Sequence, residues 1–131
     1  AVSISGETLV YLCGAHSLGF AAFHLAFWKL FDWPAALRQT NVATRAVTQI
    51  LNLRLIHVFL GVAALCFALP GDLLHTRLGH ALLAGMALFW LGRLIEQFVF
   101  LRYDKPLIHV LTALFALGAL LFGLPLTPWA T

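Results

Sequence analysis

Four apolar segments dominate this chain, and charged residues sit inside two of them. The runs Thr8 to Trp28 and Pro106 to Thr131 contain no Lys, Arg, Asp or Glu. Each holds about twenty residues or more, enough to cross a bilayer as a helix. The second segment reaches that length only by including Arg54, and the third only by including Arg93 and Glu96. A charged side chain at bilayer depth costs roughly 2.5–3.5 kcal/mol on insertion scales. Such residues therefore face a bundle interior, a partner or water, and often mark function.

Composition agrees with a membrane chain. Hydrophobic residues make up 62% and charged residues 10%, and the mean hydropathy is +0.94. Soluble domains run nearer to about 45–50% apolar and about 25% charged. A soluble protein of this length could not cover so apolar a surface with polar groups. One domain of four spans uses nearly the whole chain and leaves little for a second. The opening AVSISGETLV carries no basic stretch ahead of the first apolar run. That run is also too long for the apolar region of a signal peptide, so it reads as a retained helix.

The expected fold is an all-α integral membrane protein, an antiparallel bundle of four transmembrane helices running up-down-up-down. The spans fall at about 8–31, 46–69, 76–101 and 106–124, with a short interfacial segment at about 34–45. Asp32-Trp33-Pro34 ends the first span, and Asp32 can cap a short helix whose first turn holds Pro34. Pro70-Gly71-Asp72 reads as a turn, and Tyr103-Asp104-Lys105-Pro106 breaks the third span from the fourth. Small residues recur at packing spacing in Ala15/Gly19, Ala64/Ala68, Ala81/Gly85 and Ala119/Gly123. Such pairs let membrane helices approach closely.

The net charge of +3 gives topology rather than a nucleic-acid partner, because no basic stripe is interleaved with aromatics. Lys29, Arg38, Arg45, Arg102 and Lys105 lie near the 1–2 and 3–4 connections, and only Arg77 lies at the 2–3 connection. The positive-inside rule puts the 1–2 and 3–4 connections in the cytoplasm of a bacterial inner membrane, with both termini outside. Trp28, Trp33 and Tyr103 then fall at the inner interface, and Tyr11 and Trp129 near the outer one. Cys13 and Cys66 lack metal or CxxC spacing and read as ordinary buried cysteines.

In that topology the four spans bring polar groups to one slab of the membrane: His24; Gln49, Asn52, Arg54 and His57; Arg93, Glu96 and Gln97; and His109. At about 100° per residue, Arg93, Glu96 and Gln97 share one helix face, and Arg93 and Glu96 are spaced to pair. Two readings follow. Arg54, His57, Arg93, Glu96, Gln97, Asn52 and His24 form a site for a small ligand, ion or partner, as in a small transporter or an accessory subunit. Alternatively they are interhelical glue in a purely structural subunit, with Arg54 reaching the inner interface.

Histidines suggest a third reading. His24 and His57 have similar depth on sequential antiparallel spans, so they are candidate metal ligands or axial ligands of a haem b in an electron carrier. The stripe Phe20, Phe23, Phe27 and Phe31 would wall the macrocycle, and ordinary helix packing requires the same stripe. His16 and His80 form a looser pair, and His75 and His109 fall at interfaces. No catalytic motif is present, and Glu96 is the only carboxylate within the spans. The expected partners are the lipid bilayer, other membrane subunits or a second copy of the chain, and no nucleic acid.

Overall fold

The structure, a computed structural model, describes residues 5–102 and 104–128. Tyr103 and Trp129, assigned above to the membrane interfaces, lie outside the described residues. Among the described residues every regular element is helical. The order is α1 (Gly6–Leu25), α2 (Phe27–Leu30), α3 (Trp33–Ala36), α4 (Val42–Ala68), α5 (Pro70–His75), α6 (Arg77–Phe100) and α7 (Pro106–Gly123). Short 3-10 turns occupy Leu37–Gln39 and Leu124–Leu126. Among the described residues four helical stretches are long and apolar enough to cross a membrane: α1, α4, α6, and α7 with the turn that follows it.

Polar residues fix where these helices start. The Ser5 hydroxyl accepts from Thr8 N–H at 3.5 Å and its carbonyl accepts from Leu9 N–H at 3.1 Å, opening α1. Asn41 opens α4 by accepting from Thr44 N–H at 2.7 Å, and Thr76 opens α6 by accepting from Gly79 N–H at 2.9 Å. Each satisfies a donor that the first turn of a helix leaves without an internal acceptor. Pro106 begins α7, where its missing N–H costs nothing.

Four expectations about these boundaries are corrected. The first helix does not run unbroken to Phe31. It stops at Leu25, and Ala26 N–H is divided between the carbonyls of Ala22 and Phe23, at 3.3 and 3.1 Å. Asp32 does not cap α3 with its side chain; its backbone is left-handed, with φ 49 and ψ 49, a conformation that Asp tolerates better than most residues. Pro70-Gly71-Asp72 is the first turn of α5 rather than a loop, since Pro at that position is pre-set for helix. The segment at 34–45 divides among α3, the 3-10 turn and the start of α4, which Asn41 nucleates four residues before the expected Ala46.

The chain packs as two compact units, divided inside α1 after Cys13 and inside α4 after Ala64. In the unit of residues 14–64, α1 and α4 run antiparallel. Phe20 meets Phe59, His24 meets Asn52 and Trp28 meets Gln49, so numbers rise on one helix as they fall on the other. The phenylalanine stripe forms a ladder. Phe20–Phe23, Phe23–Phe27 and Phe27–Phe31 stand 6.1, 5.0 and 4.9 Å apart with planes 82°, 90° and 77° to each other. Edge-to-face geometry of this kind aligns a ring's positive edge with its neighbour's negative face.

The other unit joins residues 1–13 to 65–131. Tyr11 stacks on Phe67 at 6.1 Å, and the thiol of Cys13 donates to the Leu121 carbonyl at 3.1 Å. Trp90 of α6 stacks on Phe115 of α7 at 5.7 Å and 18°. The close approach in this unit is not at the expected small-residue pairs: a Cβ on Gly85 or Gly123 would meet nothing within 4 Å. A close approach is found at Gly79, where a Cβ would meet the backbone of Asp72 and lie 2.5 Å from Leu73 Cα. Gly79 is what lets α6 start directly against α5. Gly19, in the first unit, also faces open space.

Candidate functional site

Asn52 is the centre of the polar contacts in residues 14–64. It is only 4% exposed. Its Nδ2 donates to the His24 carbonyl at 2.9 Å, and its Oδ1 lies 2.7 Å from His24 Nδ1. A carbonyl oxygen can only accept, so Nδ1 carries the hydrogen, and in the neutral ring Nε2 is the basic nitrogen. The His24 carbonyl belongs to the last turn of α1, where carbonyls lack an acceptor role inside the helix, and Asn52 supplies the missing donor. The His24 ring is half-buried among Phe27, Phe59 and Phe23, with centroids 4.2, 5.3 and 5.9 Å away.

One turn along each helix, Trp28 Nε1 donates to Gln49 Oε1 at 2.9 Å, and Gln49 Nε2 donates to the Arg45 carbonyl at 3.1 Å. Arg45 folds back onto the carbonyls of Leu37 and Thr40, at 3.1 and 3.3 Å. Sequence reasoning placed Gln49 in the slab but missed its partner Trp28. The signal was present: His24 to Trp28 and Asn52 to Gln49 are each one turn, in opposite senses, on helices that run antiparallel.

Arg54 and His57 are placed differently. Both are exposed, and neither makes a hydrogen bond or an ion pair among the described residues. At about 100° per residue, His57 lies about 140° and Arg54 about 160° around α4 from Asn52. His24 and His57 therefore do not face each other between α1 and α4. Among the described residues no group of three or more His, Cys, Asp or Glu side chains is arranged to hold a metal ion.

In the other unit, Gln97 is 1% exposed. Its Nε2 donates to the Ile108 carbonyl at 3.2 Å and to Thr112 Oγ1 at 3.4 Å, tying α6 to α7. Its Oε1 is buried without a hydrogen-bond partner among the described residues. The expected Arg93–Glu96 pair does not form. Arg93 instead lays its guanidinium over the Phe115 ring, 4.5 Å from the centroid, while Glu96 is exposed without a hydrogen bond or ion pair among the described residues. The reason lies in the neighbouring helix: Phe115 offers the half-buried guanidinium an aromatic face close by, and the exposed carboxylate offers it none of that packing. Thr112 and Phe115 were not singled out from the sequence, since a hydroxyl and a ring on an apolar helix carry no signal until α7 is seen against α6.

Two of the remaining histidines serve local ends. His109 Nε2 and Asp104 Oδ1 lie 2.7 Å apart where α7 begins, and the His80 ring bonds to the Leu74 carbonyl at the α5–α6 junction.

The polar residues thus fall into two sets. Buried ones (Asn52, Gln97) and half-buried ones (His24, Gln49, Arg93) are engaged in contacts between helices. Exposed ones (Arg54, His57, Glu96) are not. The fold defines the class: among the described residues it is all-helical, with four helices long and apolar enough to cross a membrane, the pattern of a membrane-embedded protein. The chain matches no family model, no curated protein and no solved structure.

Proposed function

We propose that this is an integral membrane protein that works by lateral association, as an accessory subunit does, and that the helix surfaces bearing Arg54, His57 and Glu96 are its binding faces. One observation carries the reading: three ionisable side chains stand exposed on apolar spans with no hydrogen-bonded or ion-paired partner among the described residues. An ionisable group facing lipid is costly and is kept where a partner answers it. The polar groups that only hold helices together are, by contrast, bonded inside their units. A haem carrier would turn two imidazoles to one interior, whereas His57 is exposed and lies about 140° around α4 from the Asn52 that holds His24.

Topology belongs to the same reading. The basic 1–2 and 3–4 connections lie in the cytoplasm and both termini lie outside, which puts Arg54 and Glu96 in the cytoplasmic half of the membrane. The test is in-cell photocrosslinking from benzoylphenylalanine at Val58 and at Val99, which are 43% and 59% exposed and one turn from Arg54 and Glu96. The expected result is a discrete protein adduct from each position. Adducts to lipid alone at both positions would overturn the reading.

A further inference from the structure

We infer that the surface of α4 carrying Arg54 and His57 receives a transmembrane helix of another protein, one that bears an acidic side chain at the level of Arg54. The inference rests on the lateral-association reading and names the chemistry of the partner. The whole surface lies on one helix, inside the unit of residues 14–64. Opposite sides of that helix are used differently. Asn52, Ile56, Phe59 and Ala63 are buried, and Asn52 and Phe59 meet His24 and Phe20 of α1. Val47, Ile50, Arg54, His57, Gly61 and Ala64 are exposed. At about 100° per residue these six fall within an arc of about 100°, centred roughly opposite the buried side.

Spacing and size describe what fits there. The six residues alternate at three and four positions, the 3.5-residue repeat that keeps two helices in contact along a left-handed crossing. The apolar part of α4 begins after Gln49. Arg54 lies about 7.5 Å further along the helix and His57 about 12 Å. A guanidinium can reach back toward the headgroups from the first depth, but the shorter imidazole has no such reach from the second. A neighbouring helix answers both residues, whereas headgroups answer only one. Beyond them Gly61 and Ala64 present almost no side chain, and a Cβ on Gly61 would meet nothing within 4 Å. Small residues on such a surface let a neighbouring helix approach closely.

Charge decides between partners. Arg54 has no hydrogen-bonded or ion-paired partner among the described residues. A carboxylate brought opposite it removes two charges from lipid at once, which is worth most where water is scarce. A second copy of α4 does not supply that carboxylate. A two-fold axis along the membrane normal sets the same residues against each other, so Arg54 would face Arg54.

The test uses the full chain, donor-labelled, in phosphatidylcholine vesicles. The probe is an acceptor-labelled Leu/Ala transmembrane peptide with one Glu about five residues inside its apolar run, compared with the same peptide carrying Gln or Lys there. Energy transfer is titrated by lipid dilution. The Glu peptide should bind about tenfold more tightly than the Gln peptide, the worth of one good interhelical polar contact in a membrane. The Lys peptide should show only random encounter. Arg54→Leu should bind the Glu and Gln peptides alike. Arg54→Glu should exchange the preference and take the Lys peptide, which also proves that this variant is folded. Gly61→Leu should lose the Glu peptide while its thermal melt in detergent stays unchanged. Three results overturn the acidic helix: equal binding of the Glu and Gln peptides by the parent, a Glu preference that survives Arg54→Leu, or undiminished binding by Gly61→Leu. Transfer between two labelled copies of the chain that Arg54→Leu abolishes overturns it too, in favour of a second copy. After any of these, a crosslink in cells from Val58 or Val99 to protein leaves lateral association standing, and crosslinks to lipid alone remove both readings.

Discussion

Replacing Asn52 by alanine isolates the contact that joins α1 to α4. Two hydrogen bonds are lost: Nδ2 to the His24 carbonyl at 2.9 Å, and His24 Nδ1 to Oδ1 at 2.7 Å. Interhelical hydrogen bonds in membranes average about 0.6 kcal/mol, with a maximum near about 1.7. Two of them bound the cost at roughly 1–3 kcal/mol. The upper part of that range applies because Asn52 is 4% exposed and its loss takes a partner from two part-buried groups of His24. The assay is reversible unfolding in mixed micelles, followed by tryptophan fluorescence. A cycle with His24→Phe separates the two bonds: the coupling energy reports the ring bond, about 0.6–1.7 kcal/mol, and the remainder of the Asn52→Ala cost reports the backbone bond. Nitrogen NMR of His24 should show the hydrogen on Nδ1. An Asn52→Ala variant that unfolds with the parent, or a ring protonated only on Nε2, would refute the argument that Asn52 holds both groups.

The remaining expectations use the same unfolding assay. Gly79→Ala places a methyl against the backbone of Asp72 and Leu73, which cannot move aside as a side chain could. It should destabilise by roughly 3 kcal/mol or more, at or above the top of the usual overpacking range. Coupling between Arg93 and Phe115 in a double-mutant cycle should be about 0.5–2 kcal/mol, larger than that between Arg93 and Glu96, and the reverse order would restore the ion pair. Gln97→Leu gives up two donor bonds but also removes a buried oxygen that has no partner among the described residues. It should therefore stay within about 1 kcal/mol of the parent, unlike Asn52→Leu, because an orphaned buried acceptor costs about as much as the bonds contribute.

What the sequence determined by itself is the set of long apolar helices and most of their ends. Apolar runs of this length leave a chain little choice, and local signals with a backbone mechanism, such as Thr76 before α6 and Pro106 at the head of α7, act within one turn. The same reasoning singled out His24, Asn52, Gln97 and the phenylalanine stripe, which the structure shows in hydrogen bonds between helices and in ring contacts. The tertiary structure decided what each polar residue does. Arg93 and Glu96 are spaced to pair on one helix, yet the guanidinium lies over the ring of Phe115 on another helix. Gly79 and Gly85 look alike in sequence, yet one lies against the backbone of α5 and the other faces open space. Helical spacing fixes which residues share a face. Whether that face meets a ring, a carbonyl or the outside depends on neighbours distant in the chain. Burial then sets the energy, because a polar group enclosed by apolar side chains must find its partner there, whereas an exposed one is not bound to.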